Sequence, residues 1–562
     1  MTATKSDRPA RSRRGCWTCR AKKVKCDEER PRCRRCSRLD LVCDYAPRPR
    51  KKYTRRGGDD RIADGESPST ASHSHIGTEE SYSIPQYYPT DTDADLAPQS
   101  FGSQSLSIDC LSILLPTDHE AITCYRTVIS ISIDTKDPEY SVPTVVWRMA
   151  QTQPMVLHMV CALGSHQLCY ENSRGGQRDT SCFESTAVEH YGASMRLMAQ
   201  IIYETADSPT LDTTLATLWL MIVYEQKFGD GSGAGLKAHL VGAASVLHSR
   251  LRKLNGWHAI DKTGSTDQDP SSPLPLPHWP ISPFSARMIV WISFLDGGAA
   301  FYGLGGNFNR SVGEIMVDLA ENNTKSRLRG FLSIHQYSAL LSSDIWGPEY
   351  PQDQLLEDIQ SRQLFYLYGQ VGQLRFILAE LSAAYNDSED TDRHGLAQDT
   401  AYALRDMREK YWELLEIAGR LDFPSANGKE RNFIANVRFI VPFYHAIVLC
   451  YFRIINRNAP ANEQQRTSLR DIITLAHQSH TDEGEKAMAR ITWPLFIAAL
   501  ETEDLVHRDW IMARFSRLQH QGENCRRAFA ALKVAQTEER TRHVRVDCIG
   551  ILENDDVEKF VI

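Results

Sequence analysis

Long uncharged apolar runs are missing from this 562-residue chain. A helix that crosses a bilayer needs about 18 or more such residues in succession. The best stretch, 439–452, is shorter, contains Pro442 and lies between Arg438 and Arg453, so no membrane span is expected. Residues 1–14 are polar and basic with no apolar segment behind them, so no secretory signal is expected and a reducing compartment follows. Long alternating runs of strand type are also missing, and no repeat of fixed period stands out. Catalytic punctuation is scarce in the same way. Gly303-Leu304-Gly305-Gly306 lacks the strand before it and the helix after it that a nucleotide loop needs. No nucleophile with a partner base and no catalytic metal motif is found, and His73 and His75 sit in Ser-rich sequence with no ligand spacing.

The charge is unevenly distributed. The formal net charge is -7, yet residues 1–56 hold 20 Lys or Arg against 6 Asp or Glu, and the remaining 506 residues hold 44 against 65. A basic head on an acidic body points to a polyanion as the partner of the head alone.

Fourteen cysteines are present, and six fall within 28 residues: Cys16, Cys19, Cys26, Cys33, Cys36 and Cys43. In a reducing compartment clustered cysteines bind metal more often than they form disulfides. The spacing is one half-motif written twice, Cys-x-x-Cys with a third cysteine following. Zinc takes four tetrahedral ligands, so six thiolates serve two ions only if two are shared. The repeat nominates the first cysteine of each half, Cys16 and Cys33, for sharing. Such a core carries a formal charge of about -2, which neighbouring Lys and Arg offset. So short a segment cannot build a hydrophobic core, so metal binding is expected to supply its folding free energy. Cys110, Cys124, Cys161, Cys169, Cys182, Cys450, Cys525 and Cys548 show no ligand spacing and are read as ordinary thiols.

Between Cys19 and Cys26 runs Arg20-Ala21-Lys22-Lys23-Val24-Lys25, a helix-forming stretch anchored by cysteines at both ends. Arg20, Lys22, Lys23 and Lys25 are the candidate DNA contacts, since Lys and Arg on a short helix reach guanine O6 and N7 in the major groove. The corresponding run 37–42 is weakly charged and apolar, and is expected to pack and to touch phosphate. Pro31 would set the turn joining the halves. Beyond the cluster, Arg48, Arg50, Lys51, Lys52, Arg55 and Arg56 form a second basic run suited to phosphate contact, nuclear import, or both.

The expected organisation is a basic disordered N-terminus at 1–15, a zinc head at 16–45, a flexible low-complexity linker at 46–105 and an all-helical body at 106–562. Helical periodicity marks 142–170, 184–204, 210–227, 234–251, 286–302, 354–385, 401–421, 432–455, 485–500 and 505–519. A Pro-rich insert at 269–283 reads as an exposed loop. Leu215, Leu218, Trp219, Met221 and Ile222, like 493–498, read as core. Acidic stretches at 79–96 and 552–562 read as solvated tails in preference to activation segments.

The stretch from Arg14 through Cys16-Trp17-Thr18-Cys19 to Cys26-Asp27, then Arg30-Pro31-Arg32-Cys33-Arg34-Arg35-Cys36 and Cys43-Asp44-Tyr45, resembles the fungal zinc binuclear cluster family of transcription factors. The resemblance implies that Cys16 and Cys33 bridge two zinc ions and that Lys22 and Lys23 contact a CGG-type triplet of double-stranded DNA. The body, through 493–498 with Glu501, 218–225 and 239–244, is similar to the fungal-specific transcription factor domain found behind such clusters. What the resemblance implies is a nuclear, pathway-specific regulator of metabolic or secondary-metabolite genes acting on the transcription machinery. The rival readings are a zinc-headed protein-interaction scaffold, a repressor or drug-response regulator, and an enzyme housed in the body. Residues 46–105 contain no heptads, which leaves both a monomer and a homodimer formed through the body open.

Overall fold

The computed structural model of the chain describes residues 16, 18, 19, 24–39, 43 and 45, and residues 114–562 except 176–180, 204–209, 253–278, 317–322, 387–392, 423–428, 458, 543–545 and 555. The expected N-terminal segment, the linker, the basic run from Arg48 to Arg56 and the acidic stretch 79–96 lie outside the described residues. Two units are distinguished, Met1–Thr92 and Asp93–Ile562.

In the second unit the described residues form helices and turns, with no strand among them. The principal helices are α1 (Pro116–Cys124), α2 (Val142–Ala150), α3 (Pro154–Gly175), α4 (Ser181–Tyr203), α5 (Leu211–Phe228), α6 (Ala234–Arg252), α7 (Pro283–Ala300), α8 (Asn307–Met316), α9 (Thr324–Ser338), α10 (Gln352–Asn386), α11 (Arg393–Lys410), α12 (Lys429–Ile455), α13 (Glu463–Glu483), α14 (Thr492–Glu501), α15 (Leu505–Leu518) and α16 (Glu523–Arg542). The expected single helix over 142–170 is two, because Pro154 opens α3 and cannot donate to the turn before it. The expected 401–421 begins earlier and ends as α11, with a short helix Trp412–Ile417 behind it. Helices α1, α8, α9, α13 and α16 are not among the expected runs.

Local chemistry sets the ends. The Thr210 hydroxyl accepts the Thr213 N–H and starts α5, which is buried on nearly every side and so belongs to a core. Asn462 and Gln465 cap α13 reciprocally, and Gly484 at φ 71° stops it.

Two apolar cores result. The first gathers α2, α3, α5, α6 and α7 around Trp219, Phe284 and Phe308. The second gathers α10, α12, α13, α14, α15 and α16 around Phe376, Phe496 and Phe515. Helices α7 and α10 form the seam, where Phe294 meets Tyr368 at 4.3 Å between ring centroids. At that crossing a Cβ on Gly297 would stand 2.7 Å from the Gly372 carbonyl oxygen. Glycine is what lets the two backbones approach. Three buried polar side chains at the seam are tied together: Asp296 accepts the Gly306 and Asn309 N–H groups at 2.8 and 3.0 Å, and Gln373 donates to Asn309 at 2.6 Å. The glycine-rich turn at 303–306 therefore lies against a buried carboxylate; contrary to expectation a helix, α8, follows it directly, but what precedes it is the helix α7 and not a strand.

One expectation holds here and two change. Helix α12 lies in a region that by length and composition could cross a bilayer, yet 83% of its most apolar stretch is buried inside the protein, where Arg438 pairs with Asp482 and Arg453 with Glu501. It is a core helix. The end of the Pro-rich insert is not exposed: Ile281 is buried, Trp279 stacks on Tyr337 and Pro283 opens α7. Nor is 552–562 a solvated tail. Phe560 and Val561 are buried, one in each core, and Arg375 Nη2 donates to the Ile562 carbonyl at 2.9 Å. Acidic composition hid the apolar residues that end this stretch.

Of the scattered cysteines, Cys124, Cys161, Cys169, Cys450, Cys525 and Cys548 are buried, with Cys548 Sγ 4.0 Å from Cys450 Sγ, and Cys182 is exposed. Cys110 lies outside the described residues.

Candidate metal centre and nucleic-acid interface

The repeat in the sequence reappears as a repeat in hydrogen bonding. In the first half the Cys19 N–H donates to Cys16 Sγ at 3.4 Å, and in the second the Cys36 N–H donates to Cys33 Sγ at 3.4 Å. Cys33 is thereby the N-cap of a short helix, Arg34–Arg38. Thr18 and Cys19 are helical in the first half. The third cysteines are also braced: Glu28 N–H donates to Cys26 Sγ at 3.4 Å and Cys33 N–H to Cys43 Sγ at 3.3 Å. Amides aimed at sulfur favour the thiolate.

The six sulfurs gather into two groups of four whose atoms could each hold an ion, Cys16-Cys19-Cys26-Cys33 and Cys16-Cys33-Cys36-Cys43. Both contain Cys16 and Cys33. Bonds of about 2.3 Å from zinc to sulfur place tetrahedral sulfurs about 3.8 Å apart. Within the groups Cys16 and Cys33 stand 3.8 Å apart, Cys16 and Cys36 3.8 Å, Cys19 and Cys33 3.7 Å, and Cys16 and Cys26 3.9 Å. A disulfide would require about 2.0 Å. The donor set and its spacing fit zinc.

Cys16, Cys19, Cys33 and Cys36 are fully buried, and together with the partly buried Cys26, Cys43 and Tyr45 they make up the apolar cluster of the described head. Burial holds the Cys16 and Cys19 thiols above their ordinary range and raises Cys36 to about 12. The Cys36 amide and neighbouring thiols draw Cys33 down to about 6. Dry, crowded sulfurs of this kind ionise together only with cations among them.

Around the sulfurs the second half differs from expectation. Its helix begins directly after Cys33, not at Ser37, and carries Arg34, Arg35 and Arg38. Leu39, expected to pack, is 48% exposed. The Cys33 side chain, by accepting an amide, starts the helix before the apolar run is reached. In the first half Lys25 is exposed and lies past the helical turn, since Val24 N–H returns to the Cys19 carbonyl at 3.1 Å. Arg20, Lys22 and Lys23 lie outside the described residues. Pro31 does stand in the turn between the halves, preceded by a cis peptide bond.

Two residues escaped sequence reasoning. The Asp27 carboxylate accepts the Arg34 N–H at 2.9 Å and so ties the first half to the helix of the second. The Tyr45 hydroxyl lies 3.5 Å from Cys26 Sγ and donates to the Glu29 carbonyl at 3.2 Å, with burial holding it above the usual phenol range. A signal for the first was available, because the third cysteine of each half is followed by aspartate.

Comparison with known proteins agrees with this geometry. Residues 125–534 match the fungal specific transcription factor domain, and residues 14–53 match the fungal Zn(2)-Cys(6) binuclear cluster domain. The first match spans well over half of the chain, and the chain belongs to that family. It is a fungal zinc-cluster transcription factor, not an enzyme. The Zn(2)-Cys(6) match and the six clustered cysteines imply two zinc ions in a DNA-binding domain, and the family implies nuclear action. Among its relatives, the pestheic acid cluster transcriptional regulator 3 of Pestalotiopsis fici is 50% identical over 42 residues, 7% of each chain. The aspercryptin biosynthesis cluster-specific transcription regulator atnN of Emericella nidulans is 63% identical over 38 residues, 7% of this chain and 6% of its own. The transcriptional regulatory protein UME6 of Saccharomyces cerevisiae is 63% identical over 35 residues, 6% of this chain and 4% of its own. The matched stretch thus covers less than a tenth of each of these relatives. No solved structure matches the chain.

Proposed function

We propose that Cys16, Cys19, Cys26, Cys33, Cys36 and Cys43 ligate two zinc ions, with Cys16 and Cys33 shared, and that the mount so formed at 16–45 reads CGG-type triplets in double-stranded DNA. Lys22 and Lys23 contact base edges, Arg20 and Lys25 flank them, and Arg48, Arg50, Lys51, Lys52, Arg55 and Arg56 contact phosphate and serve nuclear import. The body, 106–562, relays a signal to the transcription machinery, as a monomer or as a homodimer. Two relatives named for biosynthetic gene clusters support a pathway-specific regulator.

The observation that carries this reading is the sharing of Cys16 and Cys33 by two four-sulfur groups at tetrahedral spacing, in a segment whose interleaving residues are basic. Zinc supplies the cohesion of the head; the chain supplies amides to the sulfurs and cations to the DNA.

Fluorescence anisotropy with a CGG-containing duplex and a scrambled one tests it. Binding to the first should exceed binding to the second, vanish with chelator, and fall on Lys23→Ala by about 1–3 kcal/mol. It should also weaken with salt by about 0.9 log unit per log unit for each phosphate contacted. Equal grip on both duplexes, or a flat salt response, would sink the reading in favour of a protein-binding head.

A further inference from the structure

Tyr45 follows the last sulfur of one four-sulfur group and reaches the last sulfur of the other. Cys43 belongs only to the group with Cys36, and Cys26 only to the group with Cys19. Cys26 and Cys43 are also the two cysteines of the cluster that are not fully buried, so an incoming chelator meets them first. The tyrosyl oxygen stands 3.5 Å from Cys26 Sγ, and its hydrogen points to the Glu29 carbonyl 3.2 Å away. The ring is held in place by the Arg30 guanidinium, 5.0 Å from its centroid.

The hydrogens between these atoms can be counted. While Cys26 is a thiol, its S–H donates to Cys16 Sγ 3.9 Å away and the tyrosyl O–H donates to the carbonyl. Once Cys26 binds a cation as thiolate, one hydrogen is left for two acceptors, and the anionic sulfur is the stronger of them. We infer that Tyr45 is a positioning residue of the zinc site: its hydroxyl turns onto Cys26 Sγ in the loaded protein and braces the sulfur that belongs to the first ion alone. The brace crosses between the halves, as Asp27 does in the opposite direction. It rests on the reading of Cys26 as a zinc ligand, and nothing in it concerns which DNA is bound.

The test uses the full chain loaded with zinc and a colorimetric chelator in excess. Tyr45→Phe keeps the ring and loses the donor. One of the two zinc ions should leave roughly ten times faster, at the low end of what outer-shell partners of metal ligands contribute, while the other keeps its wild-type rate. In the cadmium-loaded chain one of the two metal resonances should move more than the other. Fluorotyrosine placed at position 45 keeps the shape and strengthens the donor, and should slow the same phase, so the question is answered even if the phenylalanine chain does not fold. Wild-type release from both variants would overturn the brace and leave the zinc reading standing. A wild-type chain that holds no zinc would overturn the ligand assignment itself.

Discussion

Replacing Cys16 should differ in kind from replacing Cys26, because one sulfur is shared and the other is not. Cys16 occurs in both four-sulfur groups and Cys26 in one. A structural zinc contributes about 10–16 kcal/mol of binding free energy. Dividing this over four thiolates assigns roughly 3 kcal/mol to each bond, or about a hundredfold in affinity. Cys26→Ala thus weakens one ion by about a hundredfold, whereas Cys16→Ala weakens both, a combined loss of roughly 6 kcal/mol. The described head offers little else to hold it, since its fully buried apolar side chains are the cysteines themselves. The assay is zinc content per chain after dialysis against a chelator at a strength the wild type just withstands. The wild type should retain two ions, Cys26→Ala one and Cys16→Ala none, with DNA binding lost in parallel. If Cys16→Ala retained one ion as Cys26→Ala does, the sharing of Cys16 would be refuted.

Two further predictions concern the body. Arg453 Nη2 and Glu501 Oε2 meet at 2.6 Å with both side chains almost wholly buried, so Glu501→Gln should cost about 3–5 kcal/mol in thermal unfolding, and Arg453→Met with Glu501→Leu should recover most of it; equal losses in the single and double variants would contradict this. Burial raises the Asp296 carboxyl to about 6. Its contribution is therefore fully present below the ordinary carboxylate range and is lost as pH rises through about 6, a fall of at most about 3 kcal/mol. Asp296→Asn should remove this part of the pH dependence of the urea midpoint, and an unchanged profile would speak against it.

How much was legible in the sequence follows from where the chemistry is concentrated. The cysteines could be read because tetrahedral zinc makes spacing obligatory. Helices with a broad apolar face, such as α5 and α12, could be read from periodicity alone. Helix α13 could not, because its inward face includes Gln465, Ser468 and Ser479 beside Ile472 and Leu475, and a half-polar face blurs the period. Burial of Phe560 and Val561 was hidden behind Glu553, Asp555, Asp556 and Glu558, whose charge dominated the composition. Tyr45 was missed because its partner, Cys26, is distant in sequence, and no spacing rule covers a hydroxyl that reaches across to the other half.

The same concentration separates the two units in their chemistry. In the head, function is carried by ionisable groups that demand an external cation, since crowded thiolates repel one another and ionise together only around metal. In the body, three buried carboxylates find partners inside. Asp118 accepts the Leu115 N–H and meets His190, Asp296 accepts the amides of Gly306 and Asn309, and Glu501 is clasped by Arg453. A carboxylate whose lone pairs are filled by fixed donors is held in place, not held ready for proton transfer. The physical character of these groups thus agrees with a family of regulators: in the body, polar chemistry is spent on holding helices in register, and in the head it is left open for metal and DNA.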